Sequence, residues 1–237
     1  MDSLINMLLP KSCAVCRKSL KDNAIDGLIC QDCWGRIKNN TPPFCTRCGR
    51  HIDKSFGAKI CPRCQRADLD FDRAFSPCLY DGVLKELIHK FKYQNKDYLG
   101  KSLSRLLINF IKEYELPVNF INAVVPIPLH ERKMREREFN QSEVLGEAIA
   151  KEFNIELVKD GLLRVRDTAS QTDLLDKERW SNIKNCFAAD MTILNRLKGK
   201  NLLIVDDILT TGATCSEAAS TLKNAGAGVV FVLTLAH

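Results

Sequence analysis

Long apolar runs are missing from this 237-residue sequence, and with them a membrane-spanning reading. No segment approaches the roughly 20 apolar residues that a spanning helix needs. The first ten residues, MDSLINMLLP, carry an acid where a secretory signal needs basic residues, and their apolar run is too short. The expectation is a cytoplasmic protein without membrane insertion. Histidine is scarce, at four residues, so few groups titrate near neutral pH. A lysine-bearing phosphate loop is absent too: Gly100 to Ser102 reads GKS, but Asn95 occupies the first glycine position and no strand leads into it. An apolar fraction of 45% is ordinary for a folded chain and excludes disorder.

Cysteine, by contrast, is abundant. Eight of the eleven form four C-x-x-C pairs, Cys13/Cys16, Cys30/Cys33, Cys45/Cys48 and Cys61/Cys64, while Cys78, Cys186 and Cys215 stand alone. A reducing cytosol disfavours structural disulfides and leaves metal binding or redox chemistry. The pairs recur: Cys13 and Cys16 lie 32 residues before Cys45 and Cys48, and Cys30 and Cys33 lie 31 before Cys61 and Cys64, as an internal duplication would leave them. Each copy has the spacing of two knuckles closing a four-thiolate zinc site, so two structural zinc ions are expected. Four thiolates leave no open position for water, which argues against a catalytic zinc. A redox role would need a strand-helix context that four successive pairs do not provide. Spacing alone does not choose between sequential and cross-braced ligand sets, and leaves His51 as a substitute ligand.

The first 70 residues hold 12 Lys and Arg against 7 Asp and Glu, the remainder 23 against 22. A basic head could face nucleic acid, but each four-thiolate zinc unit carries about −2, which cancels most of the excess. This head has few large apolar side chains, so metal binding would supply the folding free energy that a core does not.

Near residue 70 the texture changes, placing a boundary between a ribbon domain of residues 1–70 and a second domain of residues 71–237. Val83 to Phe91 and Leu99 to Tyr114 have apolar residues at helical spacing. FINAVVPIP, closed by Pro126 and Pro128, reads as a buried strand ending in a rigid turn. A helix is expected from Asn140 to Phe153 and a short strand from Gly161 to Val165. The polar stretch Arg166 to Lys184 is long for a connection inside a compact domain and marks a functional loop such as a lid. Strands at Asn185 to Ala188, Asn201 to Val205 and Val229 to Leu235, with a helix at Thr214 to Asn224, complete an alternation that implies an α/β fold: a mainly parallel sheet flanked by helices on both faces.

Within that alternation, LLIVDDILTTGAT (Leu202 to Thr214) sets two carboxylates at the end of a buried strand, where ligands of open α/β sheets bind. The small-residue loop that follows leads straight into a helix, whose free amides and positive end can hold a phosphate monoester. Paired aspartates alone would do no more than cap a turn, and a TTG loop alone would do no more than start a helix. Together, in strand-to-helix context, they suit a sugar phosphate whose vicinal hydroxyls donate to the acids.

This stretch resembles the phosphoribosyl pyrophosphate (PRPP) motif of type I phosphoribosyltransferases. Two more, VVPIPLHERKMREREFNQSEVLGEAIA and RVRDTASQTDLLDKERWSNIKNCF, resemble segments of the ComF family. That family also carries N-terminal cysteine ribbons, so the likeness spans essentially the whole chain. One departure is Glu138, where the family usually has a small residue, often glycine.

The resemblance implies that Asp206 and Asp207 bind ribose hydroxyls and that Thr210, Thr211, Gly212, Ala213 and Thr214 bind the 5-phosphate. It makes Pro128, Leu129 and His130 a pyrophosphate loop, followed by Arg132, Lys133, Arg135 and Arg137 as cations for the leaving group. Gln171, Arg179 and Asn182 would belong to the lid, and magnesium would arrive with PRPP. It also implies handling of single-stranded DNA in natural transformation beside a DNA-uptake helicase. Arg17, Lys18, Arg47, Arg50, Arg63 and Arg66 would then meet the strand, with Trp34 and Phe44 as stacking platforms; a solvated ribbon surface or a protein-docking module is the plainer alternative. The competing expectation is an active phosphoribosyltransferase with an unknown small or nucleobase-like acceptor, unrelated to DNA uptake. Of the histidines, His130 alone falls near the inferred site, and neither a general base nor the acceptor can be read.

Overall fold

The computed structural model describes residues 12–53, 57, 59–93, 96–168 and 176–237. Two short helices, α1 (Gln31–Trp34) and α2 (Pro62–Arg66), belong to the cysteine-rich segment. They are followed by β1 (Arg73–Phe75), α3 (Gly82–Tyr93), α4 (Leu99–Glu113), β2 (Ala123–Pro126), α5 (Glu131–Arg137), α6 (Gln141–Phe153) and β3 (Glu156–Leu157). The remainder comprises β4 (Leu162–Arg164), α7 (Asp176–Ile183), β5 (Phe187–Ala189), α8 (Met191–Leu194), β6 (Leu202–Ile208), α9 (Ala213–Asn224) and β7 (Val230–Ala236).

Strand β6 shows why the chain folds as it does. Side chains alternate along a strand, and here both sets are apolar: Leu202 and Ile204 enter one core, Leu203 and Val205 the other. Its neighbours divide the same way, with Val125 and Val232 on the first side and Val124 and Leu233 on the second. A strand buried on both faces needs a layer on each, and the parallel sheet β1-β7-β6-β2-β3 has them. Leu84 of α3, Leu103 of α4 and Leu145 of α6 cover one face; Ala218 and Leu222 of α9 cover the other. Helix α4 approaches α6 so closely that a Cβ on Gly100 would lie 2.3 Å from Val144 Cγ1, so the glycine of the GKS triplet serves packing.

The alternation is not one continuous sheet, however. Strands β4 and β5 pair antiparallel with each other in a separate two-stranded ribbon. Each is three residues long with one buried end, too little apolar surface for a central strand. The basic run after His130 is also more ordered than a turn, forming the seven-residue α5.

The cysteine ribbons grip the sheet from opposite sides. Ile29, Cys33 and Ile37 of the first join the core under α3 and α4, and Asp26 accepts from Ser102 Oγ (3.0 Å) and pairs with Arg105 (2.9 Å). Cys45, Cys48 and Ile52 of the second join the opposite core. Between them the chain runs along the outer side of β1 and the residues after it: Ala74 N–H donates to the Arg47 carbonyl (2.7 Å), Asn40 N–H to Pro77 (2.7 Å) and Leu79 N–H to Lys38 (2.9 Å). Among the described residues no helix is long and apolar enough to cross a membrane.

Candidate functional site

The connections at the centre of the sheet diverge. From β2 the chain continues through α6 to β3, and from β6 through α9 to β7, with the two helices on opposite faces. Such a divergence opens a crevice beyond the carboxyl ends of the two strands. Pro126 pairs with Val205 there, and Ile127 N–H donates to the Val205 carbonyl at 3.0 Å. The turn Pro128 to His130 and the pair Asp206-Asp207 therefore come side by side, and a cleft of about 740 Å³ opens between them.

Successive residues of a strand face opposite ways, and the two acids have different partners. Asp206 Oδ1 accepts from Ser142 Oγ and from Asp207 N–H, both at 2.9 Å. Ser142 is placed by Asn140, whose side chain caps α6 by accepting from Ser142 N–H (3.1 Å) and also donates to the Ile127 carbonyl (3.0 Å). Asp207 pairs with Lys92 Nζ at 2.6 Å. Burial, and then the charge of Asp207, push the Asp206 carboxyl up to about 6, while Lys92 and Ser142 act in the other direction. Burial works against the charge of Lys92, but Asp207 outweighs it and holds the ammonium above its ordinary pKa.

Opposite the acids stands a wall of cations. Lys133 and Arg137, both on α5, line the cleft with Leu129; burial, then Arg164 and Arg137, lower the Lys133 pKa. Arg137 donates to Gln141 Oε1 (3.0 Å) and lies 5.0 Å above the Tyr93 ring. Pro128, His130, Arg132 and Arg135 are near the turn but do not line the cleft. Arg132 is exposed and pairs with Glu136 and Asp167, both at 3.2 Å, and Arg135 faces Glu131 at 3.7 Å. His130 caps α5, its Nδ1 accepting from Arg132 N–H at 3.3 Å. Glu138 ends that helix at φ 64, a left-handed backbone that glycine adopts without strain. The small residue that the resemblance leads one to expect would suit this backbone, and the Glu138 side chain is itself exposed.

Loop 210–214 closes the next side. Thr210 and Thr214 line the cleft, and Thr211 Oγ1 accepts from Ala213 N–H at 3.3 Å. Gly212 has φ 89, and Ala213 is buried at the start of α9. The first amides of a helix have no carbonyl partner within it. Thr211 and Gly212 also line a second cleft, of about 350 Å³, between this loop and the second ribbon.

Of the three residues expected in a lid, Arg179 on α7 lines the main cleft. Asn182 is on the same helix outside the lining, and Gln171 lies outside the described residues. Several cleft residues escaped the sequence reading, among them Ser142, Arg164 and Lys92. Arg164, at the end of β4, donates to Thr168 Oγ1 (2.6 Å), while its buried Nε has no hydrogen-bond partner among the described residues. It opens the quoted stretch RVRDTASQ, which was the available signal. Lys92 lies one residue beyond the helix expected to end at Phe91, and its pairing with Asp207 has no local signal.

Both ribbons hold a built metal site. The Sγ atoms of Cys13, Cys16, Cys30 and Cys33 lie within 4.8 Å of one another, as do those of Cys45, Cys48, Cys61 and Cys64. The ligand sets are therefore sequential, and His51 is elsewhere, its Nδ1 against the Thr41 carbonyl (2.7 Å). Zinc–sulfur bonds of about 2.3 Å in a tetrahedron put sulfurs about 3.8 Å apart; Cys16–Cys30 and Cys48–Cys61 are at 3.7 Å. Backbone amides of Cys30 and Cys61 donate to the sulfurs of Cys13 and Cys45 at 3.4 and 3.3 Å, favouring thiolates. The three remaining cysteines are buried core residues, and burial raises all their pKa values: Cys78 to about 12, Cys186 to about 11, and Cys215 well above its ordinary value.

Several ribbon side chains assigned to a nucleic-acid face are used internally. Phe44 is not a free platform: it packs edge-on against Tyr114 (5.2 Å) and Phe110 (5.9 Å). Trp34 is half-buried against the α3–α4 core. Arg47 donates to the Leu69 carbonyl, and Arg50 to those of Leu209 and Thr210. Arg17, Lys18, Arg63 and Arg66 remain exposed.

Comparison with known proteins agrees with this architecture. A double zinc ribbon domain matches residues 4–65 and a phosphoribosyl transferase domain matches residues 140–237. Competence protein F of Haemophilus influenzae is 29% identical over 227 residues, 95% of this chain and 96% of its own. DNA utilization protein YhgH of Escherichia coli K12 is 28% identical, covering 97% of this chain and 98% of its own. Competence protein ComFC of Bacillus subtilis is 28% identical, covering 85% and 80%. The double ribbon, the parallel sheet and these relatives agree: the chain is similar to competence proteins F and ComFC over 95% and 85% of its length.

Proposed function

We propose that the central cleft binds PRPP with its magnesium, and that the chain uses this ligand in the uptake or processing of single-stranded DNA during natural transformation. The carrying observation is the acid pair held at the crevice by Ser142 and Lys92, beside a small-residue loop and opposite Lys133 and Arg137. Carboxylates accept from ribose hydroxyls, loop amides and threonine hydroxyls donate to the 5-phosphate, and the cations neutralise pyrophosphate. Magnesium rides on the substrate's own oxygens and needs few protein ligands; Asp206 and Asp207 are the hard oxygen donors in reach. The names of the relatives, which speak of competence and DNA utilization, support the DNA link. Exposed Arg17, Lys18, Arg63 and Arg66 suit a phosphate backbone, and a DNA-uptake helicase is the partner that would deliver the strand.

Calorimetry with magnesium-PRPP on the wild type and on Asp206→Asn/Asp207→Asn, repeated with single-stranded DNA present, tests the reading. Loss of PRPP binding by a folded variant is expected, and unchanged binding would refute the site. A second reading, an active phosphoribosyltransferase with a small acceptor and no DNA role, is favoured by the aromatic side chains Tyr80, His89 and Tyr93 along the same cleft. In that case an acceptor atom bonds to the anomeric carbon as pyrophosphate leaves, and labelled PRPP should release pyrophosphate with a nucleobase and no DNA.

A further inference from the structure

The two ribbons are duplicates, yet one equivalent position is used differently in each. Lys18 and Arg50 are 32 residues apart, as the cysteines are, and both close the same knuckle: Cys13 N–H donates to the Lys18 carbonyl at 2.8 Å, Cys45 N–H to the Arg50 carbonyl at 2.7 Å. The flanking bridges, Ser12 with Ser19 and Phe44 with His51, repeat by the same offset. Lys18 is exposed. Arg50 instead reaches into the sheet domain, where Nη2 donates to the carbonyls of Leu209 and Thr210 at 2.9 and 2.7 Å. These residues lead from β6 into loop 210–214.

The chain that follows the second ribbon reinforces this contact. Leu69 and Phe71 stand behind Gly212, where a Cβ would meet them at 3.3 and 3.6 Å. Asp70 is joined to Ser216 of α9 twice, backbone N–H to Oγ and Oγ to Oδ2, both at 2.9 Å. Corresponding residues of the first ribbon pack on the opposite face of the sheet, away from the loop.

We propose that Arg50 is a positioning residue for the 5-phosphate, acting through the loop backbone. In a trans peptide the carbonyl and the next N–H point in opposite directions within one rigid plane. An arginine that holds the carbonyls of Leu209 and Thr210 therefore turns the amides of Thr210 and Thr211 away from the ribbon, as a phosphate on the other side of the loop requires. Charge on the guanidinium polarises those peptides and strengthens their N–H groups as donors, and a loop fixed beforehand binds without an ordering cost. Only the second ribbon is built into the ligand domain in this way, which gives it a role that the first does not share. This inference rests on the reading of the cleft as a PRPP site.

The test measures ribose 5-phosphate and magnesium pyrophosphate as separate probes by calorimetry on the full chain. Wild type, Arg50→Met, Arg50→Lys and Lys18→Met are compared, with the zinc content of each. Arg50→Met should retain its zinc and its pyrophosphate affinity while losing about tenfold in ribose 5-phosphate affinity. Arg50→Lys should recover part of the loss, since a lysine carries the charge without the planar fork, and Lys18→Met should match the wild type. Wild-type affinity for ribose 5-phosphate in Arg50→Met overturns the proposal, as does equal loss of both probes with zinc retained. If Arg50→Met loses zinc, Arg50→Lys decides: wild-type affinity for both probes overturns it. A wild type that binds neither probe refutes the PRPP reading itself.

Discussion

Asp206 is held in surroundings that oppose its charge, with burial and the neighbouring Asp207 raising its pKa from 3.8 to about 6. The folded chain therefore keeps a proton that the unfolded chain releases between about pH 4 and pH 6, and stability must fall as pH rises through that window. Asp206→Asn removes the penalty. At pH 7 it should be more stable than the wild type by on the order of 2 kcal/mol, with a flatter profile from pH 4 to 6 in urea unfolding. The same substitution should abolish PRPP binding, so that the site is maintained at the expense of stability. Equal stability of variant and wild type across this range would contradict the electrostatic account. At this scale the sequence was legible where partners are neighbours: two aspartates at a strand end, or a threonine-rich loop before a helix. Lys92 was not, because α3 and β6 meet only in the fold. Glu138 stood out only as a departure from a small residue, whereas its φ of 64 is a property of the backbone that residue identity reports only indirectly.

Elements were legible in proportion to the apolar surface they bury. Helices α3, α4 and α6 carry apolar faces at helical spacing and lie where that spacing puts them. Helix α5 has charges on all sides; it is held by the His130 cap and by the pairs Glu131–Arg135 and Arg132–Glu136, none of which produces apolar periodicity. Strands β4 and β5 read correctly as strands, but segments of three residues, LLR and FAA, do not encode their partner. Phe44 illustrates the same limit in the ribbons. Its contacts with Phe110 and Tyr114 tie the second ribbon's knuckle to α4, where sequence alone showed an aromatic residue among basic ones. Phe44→Ala should therefore cost about 2–3 kcal/mol in denaturant unfolding and leave affinity for single-stranded DNA within about twofold of the wild type in a salt titration. A large loss of DNA affinity without loss of stability would restore Phe44 as a stacking platform.

Across the whole molecule, the ribbons and the sheet share their cores. Cys45 and Cys48 are buried in the cluster that contains Ile204 and Val232, and Cys33 in the one that contains Leu203 and Leu235. Metal binding and sheet folding should then be one event. Calorimetry of the zinc-loaded chain should give a single transition, and chelation should move the sheet's own unfolding to lower temperature. A sheet that melts unchanged after both ions are removed would show the ribbons to be independent appendages. The contact along β1 adds a consequence for synthesis. An edge strand with free N–H and C=O groups is a template for another chain, and Ala74 N–H is occupied by the Arg47 carbonyl. Because the ribbons precede β1, the ribosome delivers the guard before the edge it protects, so it is at hand when the shared cores close. Supply of zinc during translation, more than its later retention, would then decide how much of the chain escapes aggregation.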